Sequence, residues 1–502
     1  MAGVGKPILA FFVGWCVCYN GEMCILRSMS LAVIFGFIVS CSGPDLETGD
    51  EASEPSRPNI VLISMDTVRA DHCSVYGYPV ETTPTLERLA REGVLYERAY
   101  APTGITGPSH ATLFTGLHVI THGVVKNGLL LEDDWVTLAE QLSAEGYETA
   151  GFVSSFPMHR KFGFSQGFDH YDDDFIPGQN SIESETFEGT KVDKAFDQRG
   201  KFTTGKALDW LEERSNRAEP FFMFVHYFDA HSPYQPQIGF ESILEGILDM
   251  NPLEKQVRLY DQEIAQVDRE IGRVVEALET KGYGDDTIII VVGDHGEGLM
   301  DHGYMLHAGT LYEDEVRVPM IVHGPSHFAP SKEGYPVGLI DVLPTVAGMV
   351  GYDPGSDLES VVNASGQEVE HGLDVFVAEN QRFGRPMFLY RRHYDPGMLH
   401  PGWYGTLPDG SKPKKIKISG EQYGMVESGK KYIVDPELGI RLFFDLDLDP
   451  GETNNQFEDN VTLAQTMHSR LEQWVGENRL ENAPEISTEA DHEALGALGY
   501  VE

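Results

Sequence analysis

The chain has 502 residues, 41% hydrophobic and 23% charged, which reads as globular and long enough for a large core and two domains. Acidic residues outnumber basic ones 79 to 37, a formal charge of −42. That balance argues against nucleic-acid binding, which needs a basic face, and leaves a solvated acidic surface or acidic clusters that hold divalent cations. The five cysteines are at positions 16, 18, 24, 41 and 73, so the stretch beyond Cys41 has no intramolecular disulfide framework. No CxxC or Cys/His cluster points to structural zinc.

In chain order, Met23–Cys41 reads as a signal segment, with Arg27 as the basic flank and Leu31–Val39 as the apolar stretch. It ends in Ile38-Val39-Ser40-Cys41, which resembles a bacterial lipobox whose cysteine becomes the lipidated first residue. Ser42 after it suggests the outer membrane, and Met23 or Met29 is the expected start. A plain signal peptide or a single anchor helix is the simpler alternative. Residues 1–41 are thus a signal segment and 42–57, rich in Pro, Ser and acid, a tether.

The folded part begins at Pro58. Asn59–Met65 is an apolar run expected as a buried parallel strand ending at Asp66. Thr83–Gly93 has helical period and stops at glycine. Ala101–Gly116, APTGITGPSHATLFTG, is a Gly/Thr/Pro loop running into a helix predicted over Ser109–Leu117. Thr106 then lies just before a helix start, where free N–H groups and the helix dipole favour an anion. The stretch is either an ordinary capped helix or a nucleophile's seat. Val136–Gly146 and Thr203–Arg214 predict helices, Glu148–Ser154 a strand, and Asp169–Lys201 a polar surface excursion. Phe221–Tyr227 is a strand running into Asp229 and His231. Leu253–Gly282 is one long helix, Thr287–Val292 a strand ending at Asp294-His295, and Met320–Val322 another short strand.

Strands alternating with helices over 58–350 predict an α/β domain with a mostly parallel sheet sandwiched by helices, and ligands beyond the strands' carboxyl ends. From 351 to 502 the texture becomes a smaller α+β subdomain with an antiparallel sheet. Its strands are expected at Pro386–Arg391, Lys415–Ile418, Lys430–Val434 and Leu442–Asp445, with a helix near Val461–Glu477.

Several ordered motifs resemble the sulfatase family of the alkaline-phosphatase superfamily: PNIVLISMDTVRADHCSVYGY, TGPSHATLFTG, HYFDAHSPY, GDHGEGLMDHG, GTLYEDEVRVPMIVHGP, FFDLDLDPGETNN and the tail ALGYVE. The resemblance implies a site in which Asp66, Thr106, Asp294 and His295 hold one divalent metal ion, Ca, Mn or Zn. It also implies Thr106 as nucleophile, His231 as the acid that protonates the leaving group, and His307 facing the transferred group. Asp229, His231 and His307 could form a partial second ligand set. His110 replaces the signature's arginine, Thr67 a second aspartate, and Val153-Ser154-Ser155 a segment that carries Lys and His in arylsulfatases. His118, His122, His226 and His302 read as structural, and Cys73 as a packed residue.

Family formylglycine is made from Cys or Ser, so Thr106 is expected to stay unmodified. The implied function is hydrolysis of sulfate or phosphate-type esters of a small molecule, glycan or lipid, by a lipid-anchored protein of a bacterial envelope. The alternatives are a phosphoryl-group transferase and an inactive binding protein on the same scaffold. Such transferases carry several membrane helices before the catalytic domain, and no such series reads from this sequence.

Overall fold

Three apolar runs form the middle of the molecule: β1 (Asn59–Met65), β7 (Phe221–Tyr227) and β8 (Thr287–Gly293), buried along their whole length. The structure, a computed structural model, describes residues 57–175, 186–187, 190–191, 196–214, 219–351, 385–394 and 420–479. The lipobox, the tether to residue 56 and the strand expected at Lys415–Ile418 lie outside the described residues, as does much of the 169–201 excursion. Residues 55–502 form one compact unit.

The other strands are β2 (Gly93–Tyr100), β3 (Glu148–Phe152), β4 (His170–Asp172), the two-residue pair β5 (Thr186–Phe187) and β6 (Thr190–Lys191), β9 (Arg317–His323), β10 (Ser331–Gly338), β11 (Met387–Tyr394), β12 (Gly420–Glu427), β13 (Lys430–Asp435) and β14 (Ile440–Asp445). The helices are α1 (Pro84–Arg91), α2 (Thr106–Thr115), α3 (Val119–His122), α4 (Leu138–Ala144), α5 (Gly200–Glu213), α6 (Pro252–Thr280), α7 (Glu313–Val316), α8 (Val342–Met349) and α9 (Val461–Asn478). The large sheet runs β10-β2-β9-β8-β1-β7-β3-β4, parallel except where β9 pairs with β2 and β8. The mostly parallel α/β fold and the C-terminal antiparallel sheet, β11-β12-β13-β14, are both as expected. Among the described residues no helix is long and apolar enough to cross a membrane.

Strand parity decides where the site forms. Ile60 and Leu62, Phe222 and Phe224, and Ile288, Ile290 and Val292 pack on one face, with α2, α4 and α8. Val61, Ile63 and Met65, with Met223, Val225 and Val291, pack on the other, with α1, α5 and α6. Side chains two apart share a face, so Ser64 and Asp66, His226, and Asp294 follow the first set toward α2. Each buried apolar side chain is worth about 1.5–3 kcal/mol taken from water. A one-residue slip of β1 would swap its two apolar sets between the faces and turn Asp66 away from α2.

The long helix α6 begins in a capping box: Asn251 Oδ1 accepts from Leu253 and Glu254 N–H, and Glu254 accepts from Asn251 N–H. The smaller sheet and α9 pack on Val119 and Ile120 of α3. Tyr390 N–H reaches Pro102 O at 2.8 Å, just before the Thr106 turn.

Candidate active site

Helix α2 starts at Thr106 itself, three residues earlier than the predicted Ser109. Pro108 still falls in the first turn, where its missing N–H costs nothing. The N–H groups expected to cradle an anion are largely spent within the protein. Gly107 N–H donates to Asn127 Oδ1 at 2.7 Å, Pro108 has none, and Ser109 N–H donates to Ile105 O at 3.0 Å. Positive character at this end comes from the helix dipole.

Asp66, Thr106, Asp294 and His295 come together, all fully or almost fully buried. Thr106 Oγ1 donates to Asp66 Oδ2 at 3.2 Å and lies 3.4 Å from His295 Nε2. His295 Nε2 is 3.6 Å from Asp294 Oδ2 and 3.9 Å from Asp66 Oδ1. Its Nδ1–H donates to Gly296 O at 3.0 Å, which leaves the Nε2 lone pair facing the carboxylates.

Asp294 Oδ1 accepts from the N–H groups of Thr67 at 3.1 Å and His295 at 2.7 Å. Asp66 Oδ1 and Asp294 Oδ2 are buried and make no hydrogen bond. Burial raises the pKa of both, and the Asp66 charge raises that of Asp294 further. Two orphaned carboxylate oxygens and an imidazole lone pair, with ligand atoms within 4.8 Å of one another, are the donor set a divalent cation requires.

Thr67 is not part of that set. Its φ is +58°, and its hydroxyl donates to Asp66 O at 2.8 Å. His110 does not stand in for the signature's arginine as a cation. Nδ1–H donates to Thr106 O and Nε2 accepts from Ser64 Oγ, both at 2.8 Å, and burial pushes the pKa down to about 3.

His231 and His307 line the same pocket, with ring centres 5.1 Å apart and His307 4.6 Å from His295. His231 Nδ1–H donates to Ser232 O at 2.7 Å; burial and His307 push its pKa down to about 4. His307 Nδ1 lies 3.5 Å from Glu297 Oε1. Burial lowers the His307 pKa, but the Glu297 contact and charge outweigh it, and the net shift is upward. Leu306 and Ala308 have φ of +72° and +68°, strain that presents His307.

Asp229 faces away from this pocket, contrary to a role in a second ligand set. Its Oδ2 accepts from Gly200 N–H at 2.7 Å, and Arg199 lies 4.0 Å from Oδ1. Burial lifts its pKa to about 6. His118 and His122 hold Phe388 O and Thr112 Oγ1, as structural residues do. One residue with a site contact had no motif to mark it: Asn127, whose Nδ2 is buried without a hydrogen bond, holds Gly107, the neighbour of Thr106. His226, the first residue of the HYFDAHSPY motif and read as structural, turns to Asp66 at the end of an apolar strand.

The sequence profile of the Sulfatase family matches residues 58–352, more than half of the chain. An ulvan-active sulfatase of Formosa agariphila is 24% identical over 405 residues, covering 74% of this chain and 78% of that protein. A multifunctional alkaline phosphatase superfamily protein of Trinickia caryophylli, PehA, is 25% identical over 386 residues, covering 59% and 74%. The phosphonate monoester hydrolase of Agrobacterium radiobacter has the same fold, with a TM-score of 0.62, 21% identity, and 84% and 96% of the two chains covered. The chain belongs to the sulfatase family and is a sulfatase-like ester hydrolase.

Proposed function

We propose that the protein hydrolyses sulfate or phosphate-type monoanionic esters by way of a covalent intermediate on Thr106. The observation that carries this reading is the Thr106 hydroxyl itself, at the first residue of α2, 3.2 Å from Asp66 Oδ2 and 3.4 Å from His295 Nε2. Asp66, Asp294 and His295, with Thr106, would hold one divalent ion, Ca, Mn or Zn. When bound, such an ion supplies Lewis acidity toward the Thr106 hydroxyl and a non-bridging oxygen of the ester.

Thr106 Oγ attacks sulfur or phosphorus, and Asp66 Oδ2 accepts the hydroxyl hydrogen. The ester bond to the leaving alkoxide breaks, and His231 Nε2 gives that oxygen its proton. Because Nδ1–H is held by Ser232, the giving form is the imidazolium. A bound ester anion beside the ring favours that form against burial. His307, raised in pKa by Glu297, carries positive charge toward the transferred group. Water then cleaves the threonine ester, giving its hydrogen to His231 while Asp66 returns one to Thr106, and releases sulfate or, from a phosphodiester, the remaining phosphate monoester.

The substrate class draws support from the relatives, an ulvan-active sulfatase and phosphonate monoester hydrolases. It takes in sulfated or phosphorylated small molecules, glycans and lipids. From the lipobox alone we place the mature protein on a bacterial envelope membrane through Cys41.

The test of the site is ion content. Asp66→Asn or Asp294→Asn removes half of its anionic charge, and each should fall well below one ion per chain by elemental analysis, with activity falling alongside. Full occupancy in both variants would move the site elsewhere.

A further inference from the structure

We infer that His226 is a positioning residue: its imidazole holds one oxygen of Asp66 and so leaves the other turned to the bound cation. The inference rests on the reading of Asp66 as a ligand. His226 is on β7 in register with Ser64 of β1, two residues before Asp66, and it shares that residue's face. It is fully buried, and its Nε2 lies 3.4 Å from Asp66 Oδ2, a charge–dipole contact outside hydrogen-bond geometry, with no other partner for that nitrogen.

The tautomer follows from the other nitrogen. Ser154 N–H donates to His226 Nδ1 at 3.4 Å, so the ring proton is on Nε2, the atom that faces the carboxylate. Ser154 also anchors the strand, with Oγ donating to His226 O at 2.6 Å and sharing a hydrogen bond with Thr203 Oγ1 at 2.7 Å. Asp66 Oδ2 therefore meets the Thr106 hydroxyl and the His226 N–H. Asp66 Oδ1, the orphaned oxygen, faces His295. A ligand carboxylate divided in this way, one oxygen for the protein and one for the ion, is held in its binding orientation by an outer partner.

His110, His226 and Asp294 also bring ligand atoms within 4.8 Å of one another. A second ion there is opposed by the hydrogen bonds. Both nitrogens of His110 are committed, to Thr106 O and Ser64 Oγ, and His226 presents a proton rather than a lone pair. Burial keeps the two facing rings, 5.0 Å apart, neutral.

Two variants isolate the contact. His226→Gln carries an amide N–H to the reach of Nε2. His226→Asn keeps polar atoms only at the reach of Nδ1, toward Ser154. Mn²⁺ alone is titrated into the ion-free full-length protein, with free ion read by electron paramagnetic resonance. The Asn variant should bind Mn²⁺ about 10–100-fold more weakly, the usual cost of losing an outer partner, and the Gln variant should stay near the parent. Parent-like binding by Asn, or equal loss in both variants, overturns the inference. Asp66→Asn is titrated beside them: retention of the ion by that variant overturns the ligand reading instead.

Discussion

In the proposed mechanism His231 would give its proton to the substrate from Nε2, because Ser232 O holds the other ring hydrogen at 2.7 Å. His231→Ala should therefore lower turnover by about 10²–10⁴-fold, the usual worth of a general acid. The loss should be smallest for aryl esters with acidic leaving groups, which depart without a proton. Equal loss across a leaving-group series, measured as kcat/KM, would remove His231 from that role. The family resemblance named Asp66, Thr106, Asp294 and His295, and the structure brings those four together. Three-dimensional direction was not legible. Asp229 looks as ligand-like as Asp66 in a string of letters, yet it turns to Gly200 N–H and Arg199. His110 stands where the signature has arginine, yet Nε2 ties α2 to Ser64 of β1 and Nδ1–H stays on Thr106 O of its own helix.

The elements that carry the site were the easiest to read. The buried strands β1 and β7 begin and end where their apolar runs do, and β8 extends one residue further than its run. β2 and β10 were not anticipated. The β2–β9 register shifts between Tyr96 and Ala99, where Glu97 and Arg98 interrupt the apolar pattern. β10 is an edge strand, SKEGYPVG, with polar residues, two glycines and a proline. The site loop after β8 has non-glycine residues at positive φ, Leu299, Met300, Leu306 and Ala308, and it is held from outside. His302 Nδ1 bonds Asp314 Oδ2 at 2.9 Å, Nε2 donates to Gly451 O at 3.1 Å, and the ring stacks on Tyr312 at 3.9 Å. Burial lowers the His302 pKa, but the Asp314 hydrogen bond and charge outweigh it, so the folded value lies above the ordinary 6.5. A raised histidine pKa adds stability that is full below the unfolded value and lost as pH rises through the folded one. His302→Gln should therefore lower Tm more at pH 5.5 than at pH 8.5, measured by thermal denaturation. An equal drop at both values would mean that the ring acts by packing alone.

At the scale of the whole molecule, alternation of strand and helix made the parallel α/β body legible, and the change of texture after residue 350 marked the antiparallel sheet. The sequence carried no sign of how closely that sheet approaches the site, because the contacts are backbone and packing: Tyr390 N–H to Pro102 O, and His118 to Phe388 O. The proposed envelope location rests on Cys41, outside the described residues. Cys41→Ser should release the protein from the membrane fraction or block its processing. A variant that fractionates and migrates like the parent would contradict the lipoprotein reading.

What the assembled site does with a bound ester depends on Thr106. The most direct measurement is kcat of Thr106→Ala on an activated aryl ester, with ion content determined on the same preparation. Loss of covalent catalysis should lower turnover by roughly 10⁴–10⁶-fold, the range seen when a catalytic nucleophile is removed, while most of the ion remains on Asp66, Asp294 and His295. Near-parental turnover in the ion-loaded variant would contradict the covalent mechanism and leave water as the attacking group.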